Sequence, residues 1–109
     1  MYNKKLQSNV DIKNEGAFFS SNIKRINLKY YIVEAEFINE ELDNPMKGYG
    51  IEIVKKELTN DDTTSVESML ISNVYCNEKR TEELIDKLAY HTVTPLTLDY
   101  ILDDMMGIL

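Results

Sequence analysis

The stretch Asn77–Met106, NEKRTEELIDKLAYHTVTPLTLDYILDDMM, constrains the fold more than any other part of the chain, because there hydrophobic period, capping residues and charge placement agree. Asn77 suits a helix N-cap, and Glu78, Glu82 and Glu83 stand near the positive end of the helix dipole. Leu84, Ile85, Leu88 and Ala89 make an apolar stripe at helical spacing, with Glu82, Glu83, Asp86 and Lys87 turned away. Glu83 and Lys87 form a favourable i,i+4 pair, worth roughly 0.2–0.5 kcal/mol. Pro95 cannot continue this helix but suits the first turn of another, with Thr94 as its N-cap. Leu98, Ile101, Leu102, Met105 and Met106 then recur at i, i+3, i+4, i+7 and i+8, and Asp99, Asp103 and Asp104 take the other side. The segment reads as helix, break, helix, with two apolar stripes that need a surface to cover.

Three upstream runs supply that surface. Ile26–Ile38 is rich in β-branched and aromatic residues; Tyr31, Val33, Ala35 and Phe37 alternate onto one face and Leu28, Tyr30, Ile32, Glu34 and Glu36 onto the other. The polar loop Asn39–Lys47, with its Asn44-Pro45 turn, leads to a second strand at Tyr49–Leu58, in which Tyr49, Ile51 and Ile53 point inward. Gly48 and Gly50 flank Tyr49 and permit a bulge or a close backbone approach; with no helix after them they do not form a phosphate-binding loop. Thr59–Thr64 has hairpin composition, and a third strand spans about Ser65–Tyr75, with Met69 and Ile71 inward. The fold class read from this pattern is α+β: an antiparallel sheet of three or four strands with two C-terminal helices packed on one face. The expected core is Tyr31, Val33, Ala35, Phe37, Ile51, Ile53, Met69, Ile71, Leu84, Ile85, Leu88, Leu98, Ile101, Leu102 and Met105.

The N-terminal residues look different. Residues 1–15 are polar, with scattered apolar positions at Tyr2, Leu6, Val10 and Ile12, and residues 1–25 are expected to be a flexible or weakly ordered basic arm before a single domain at 26–109. Ala17-Phe18-Phe19, between turn residues, is expected to pack on the body through a short strand at 17–20. Charge is uneven. Residues 1–31 carry six bases against Asp11 and Glu15, whereas the remainder carries six bases against seventeen acids. Such an arm can fold back on the acidic body, pair with a second copy or touch an acidic partner. Asp103 and Asp104 stand near a helix C-terminus, where the dipole disfavours acids, so they invite a basic partner, and the arm is a candidate.

A net charge of −7 argues against generic nucleic-acid binding, which needs a basic face. A DNA-reading helix-turn-helix is not expected either, since the second helix carries three Asp and no Lys or Arg and would meet phosphates with repulsion. No apolar run approaches the roughly 20 residues of a membrane span, so no membrane partner is expected. MYNKKLQSNV lacks the apolar stretch of a secretory signal, and a cytoplasmic location is the expectation. The single cysteine, Cys76, leaves no intrachain disulfide and no multi-cysteine zinc site. His91, the only histidine, falls at a helix end where it can meet the last carbonyls, and Asp99 with Asp103 lacks a third ligand, so no metal or other cofactor is expected.

The order Tyr49-Gly50-Ile51-Glu52-Ile53, Ile71-Ser72-Asn73, Val93-Thr94-Pro95-Leu96-Thr97-Leu98 and Ile101-Leu102-Asp103-Asp104 resembles an uncharacterised family of short Firmicute cytosolic proteins. That family shares a YGI-x-I strand, a helix, a V-S/T-P-x-x-L turn and an acidic I-x-D helix. The likeness covers residues 28–106; the chain departs from it with Leu102 before the Asp pair and with a longer N-terminal arm. It implies this architecture and a bacterial cytosolic setting, and it carries no activity.

No catalytic residue is assigned. The functional expectation is a non-catalytic protein-interaction or regulatory module with a protein partner or self-association. Its surface would be an exposed strand edge, or the uncovered sheet face with Tyr30 and Ile32, and Asp99, Asp103 and Asp104 are further candidate contacts. The alternative is a small-ligand pocket between sheet and helices with Tyr49 and Tyr100 at its rim, which requires a cavity above roughly 300 Å³. An enzyme using Cys76 or His91 would require the two to converge in a cleft.

Overall fold

The computed structural model describes residues 2–13, 22–38, 45–98 and 100–102. Among the described residues four strands, β1 (Tyr2–Lys13), β2 (Ile23–Ile38), β3 (Pro45–Thr59) and β4 (Thr64–Tyr75), form an antiparallel sheet in the order β1-β2-β3-β4. Helix α1 (Glu78–Tyr90) follows, then a 3-10 turn at Pro95–Thr97 that leads into helical residues at 98 and 100–102. The architecture is α+β and dominated by its sheet. Of the second helix expected from Pro95 onward, the described part is this 3-10 turn and its short continuation.

The sheet is an antiparallel meander in which each described strand pairs with its sequence neighbours. In the β2–β3 register Tyr30 faces Ile53 and Ile32 faces Ile51; across β3–β4, Ile51 faces Ile71 and Ile53 faces Met69. Those rows make one continuous apolar face, and α1 covers it with Leu84, Ile85 and Leu88. Leu98 and Leu102 close the same core from the C-terminal side.

Two expectations are corrected here. Residues 2–13 are not a loose arm: they are β1, paired along β2 from Tyr2–Ala35 to Lys13–Arg25 with a bulge between Leu6 and Ser8. The strand holds despite its polarity because Val10 and Ile12 fall opposite Leu28 and Ile26, and because its polar positions find partners. Lys4 pairs with Glu52 at 2.8 Å, and Gln7 and Ser8 donate to Asp86 of α1 at 3.2 and 3.3 Å. The basic N-terminal segment thus lies on the acidic body. The Ala17–Ser20 strand expectation falls outside the described residues.

The second correction concerns β2. Its core-facing set is Leu28, Tyr30 and Ile32, and Tyr31 and Ala35 lie half-buried on the opposite face, the reverse of the expected parity. Val33 is buried on that outer face, outside the main cluster. Phe37 and Met105 fall outside the described side chains.

The ends of α1 are built locally. The Asn77 side chain accepts from the Arg80 N–H at 3.0 Å, and the buried Thr81 hydroxyl donates to the Asn77 carbonyl at 2.9 Å. At the other end Thr92 N–H donates to the Ala89 carbonyl and Val93 N–H to the Leu88 carbonyl, both at 3.0 Å. This is the bond pair of a Schellman motif, with the buried Val93 against the end of the helix and Thr92 in the left-handed region at φ 50°. The Val93 carbonyl then accepts the buried Tyr30 hydroxyl at 2.8 Å, which ties the helix exit to the centre of the sheet.

Candidate functional site

Burial removes two of the sequence-derived candidates. Tyr30 and Ile32 are 0% and 5% exposed beneath α1, so they are core residues and not an interaction surface. The error follows from the parity of β2: the face left uncovered by the described helix is the one that carries Tyr31, Val33 and Ala35. Asp99, Asp103 and Asp104 lie outside the described residues.

Cys76 and His91 do not converge. Cys76 precedes α1 and His91 is its C-cap, so the 13-residue helix separates them by roughly 20 Å at 1.5 Å per residue. His91 contributes its backbone N–H to the Lys87 carbonyl at 3.1 Å and its ring edge-on to Tyr90. Among the described residues no three His, Cys, Asp or Glu side chains are grouped to hold a metal ion, and no described helix is long and apolar enough to cross a membrane.

Open clefts mark the described surface, three of them at the following places. One of about 210 Å³ lies where β1, β2 and β3 meet the start of α1, and Lys5, Glu34, Tyr49 and Glu78 line it. Its charges compensate one another: Lys5 stands 3.8 Å from Glu78 and 3.9 Å from Glu82, and Lys47 stands 3.1 Å from Glu34. Desolvation, with the carboxylates of Glu34 and Glu78, holds the Tyr49 phenol above its ordinary pKa, and the hydrogen bond and charge of Glu34 do the same for the Lys47 ammonium. Both shifts move these groups away from neutrality, so neither is readied for proton transfer at neutral pH. A second cleft, of about 300 Å³, lies between the end of β4 and α1, with Arg80 over the Tyr75 ring at 4.6 Å and Lys87 beside it. The third, of about 220 Å³, lies by Arg25, Lys56 and Leu58. Tyr49 lines the first of these clefts; Tyr100 is exposed and lines none of the three.

The two sheet edges differ more than the clefts do. β1 carries Lys4, Lys5, Asp11 and Lys13, is interrupted by its bulge, and has side chains committed to α1 and β3. Charges and bulges of this kind protect an edge from further pairing. β4, TSVESMLISNVY, is twelve residues long, with Glu67 as its one charge and neither Pro nor Lys. Its regular pairing with β3 runs from Thr64 to Ile71, and its other side has no strand beside it among the described residues. On the outer face Val66 and Leu70 are 57% and 44% exposed. Sequence reading found a strand edge as a candidate in general terms; which edge depends on the strand order and on β1 joining the sheet.

Gly50 fixes how β4 lies against β3. A Cβ there would meet the Ser72 Cα at 2.8 Å and the Ile71 carbonyl still more closely, so only glycine lets the β4 backbone pass at this point. The register shift between Tyr49 and Ile51 sits at the same place. The close approach anticipated for this glycine pair is made by Gly50.

No curated protein and no solved structure shows a significant match to the chain. A family match spans residues 12–107, from the end of β1 to beyond the last described residues. On that match the chain belongs to a family of unknown function, DUF6514.

Proposed function

We propose that the chain is a non-catalytic protein-interaction module of the bacterial cytosol, in a Firmicute-type setting, that binds by strand addition at β4. The observation that carries this reading is the contrast between the edges: β1 is charged, bulged near its middle and tied to α1, whereas β4 is regular from Thr64 to Ile71, with one charge there and with Val66 and Leu70 exposed. Main-chain hydrogen bonds to such an edge supply affinity, and alternating side chains supply selectivity. A small-ligand pocket has less support, since Leu28, Tyr30, Ile51, Ile53, Ile85 and Leu88 fill the space between sheet and helix and the clefts are open ones.

The test is affinity capture from native cells with the intact chain and with Val66→Lys/Leu70→Lys, which charges the β4 edge without touching the core. A partner, whether another protein or a second copy, should be retained by the intact chain and lost by the variant. Identical recovery with both would overturn strand addition at β4.

A further inference from the structure

We propose that the strand added at β4 is β4 of a second copy, paired antiparallel about a two-fold axis through Ser68. This names the partner of the edge described above and rests on that reading. A two-fold axis normal to the sheet requires residues facing each other to have the same parity, because directly opposed residues share a face. The paired residue numbers must therefore add to a constant even total. With Ser68 on the axis, Val66 faces Leu70 of the second copy and Leu70 faces its Val66. The two exposed aliphatic residues of β4 thus cover each other twice. The small Ser68 side chain meets itself, and Glu67 falls opposite Met69 of the second copy instead of opposite its own charge.

The neighbouring registers are worse on the same residues. Centring on Glu67 places two carboxylates face to face, and like charges directly opposed are destabilising. Centring on Met69 sets Leu70 against Ser68 and Val66 against Ser72, so neither aliphatic side chain finds a match. Centring on Leu70 pushes the pairing past Ile71, where the β3–β4 register is irregular. The Ser68 register uses residues 65–71 of each copy, all within the regular part of the strand. The product is a continuous sheet that joins the four described strands of each copy, with both α1 helices on one side.

The register gives the test its form. In a Cys76→Ser background, Ser68→Cys should be joined into a covalent dimer by a short bifunctional thiol reagent, since directly opposed Cβ atoms lie about 4.5–5.5 Å apart. Thr64→Cys, also exposed but displaced by eight residues, or roughly 27 Å, from its own copy, should remain monomeric under the same treatment. In sedimentation velocity the intact chain should show a concentration-dependent dimer, Leu70→Lys should weaken it about tenfold or more, and Val66→Glu/Leu70→Lys should restore it by placing opposite charges face to face. A chain that stays monomeric at every concentration, with no cross-link at Ser68, overturns the second copy as partner; the strand-addition reading is then decided by the native capture. A dimer indifferent to Leu70→Lys, or cross-linked equally at 64 and 68, overturns this proposal and moves self-association away from β4.

Discussion

At the scale of single residues, Gly50 and Tyr30 carry the most consequence. Gly50→Ala drives a methyl group into the β4 backbone at Ile71 and Ser72, and backbone cannot swing aside as a side chain can. Overpacking of this kind costs about 1–3 kcal/mol, so the variant should show that loss in urea denaturation; an unchanged midpoint would show that β4 shifts freely. Tyr30 acts through its hydroxyl. Tyr30→Phe keeps the ring and leaves the Val93 carbonyl without its donor, a loss of about 1–3 kcal/mol for a buried acceptor. Burial also pushes the Tyr30 phenol up to about 12. Because its folded pKa lies above the unfolded value near 10, the folded chain holds this proton while the unfolded chain gives it up. The stabilisation is complete below pH 10 and declines as pH rises toward 12. Phenolate absorbance and denaturation followed together from pH 9 to 12 should show that decline in the intact chain and a shallower one in Tyr30→Phe. Equal slopes would remove Tyr30 as the cause.

At the scale of elements, α1 was the most legible part of the sequence because its signals are local. Asn77 caps it, Leu84, Ile85 and Leu88 are buried, and it stops where the break before Pro95 says it must. The C-terminal device was hidden, since a Schellman ending is usually announced by glycine and here Thr92 takes the left-handed position. That substitution of role yields a prediction with an unusual sign. Thr92→Gly relieves the Cβ clash of the left-handed conformation, worth about 1–2 kcal/mol before the greater freedom of glycine in the unfolded chain is subtracted. The thermal midpoint should therefore rise, whereas Asn77→Ala should lower stability by about 0.5–2 kcal/mol. A fall on Thr92→Gly would mean that the Thr92 hydroxyl, 2.7 Å from the His91 carbonyl, outweighs the strain. The parity of β2 was not legible locally at all. Both of its faces carry apolar residues, and the covered one is chosen by Ile51 and Ile53 of the next strand, which align with Ile32 and Tyr30. The acids at 34 and 36 misled, because Glu34 lies on the covered side and is met by Lys47 where the face opens into a cleft.

At the scale of the whole molecule, the decisive event is the recruitment of residues 2–13 into the sheet, and it explains both the charge pattern and what the candidate surface can be. A polar strand has little to read in isolation: Leu6 is 48% exposed, and only Val10 and Ile12 have apolar partners of their own on the covered face. Its order comes from long-range partners, with Lys4 reaching Glu52 beyond β2, Lys4 over the Tyr31 ring at 4.5 Å, and Gln7 and Ser8 meeting Asp86. Exposed ion pairs of this sort contribute little singly, so the holding force is the ladder itself and the cover that β1 gives to Leu28 and Tyr30. Removing residues 1–13 exposes the β2 edge and uncovers one side of the core. The truncated chain should lose its cooperative thermal transition by circular dichroism and bind a hydrophobic dye, whereas a dispensable arm would leave both unchanged. Changing only Lys4 and Lys5 to Gln separates the two contributions: the fold should persist with a loss below about 1 kcal/mol per pair, because the ladder remains and only surface charge pairing is gone. If the Gln variant unfolds as readily as the truncation, the acidic body is held together by its basic strand through charge rather than through backbone pairing, and stability should then fall steeply with added salt.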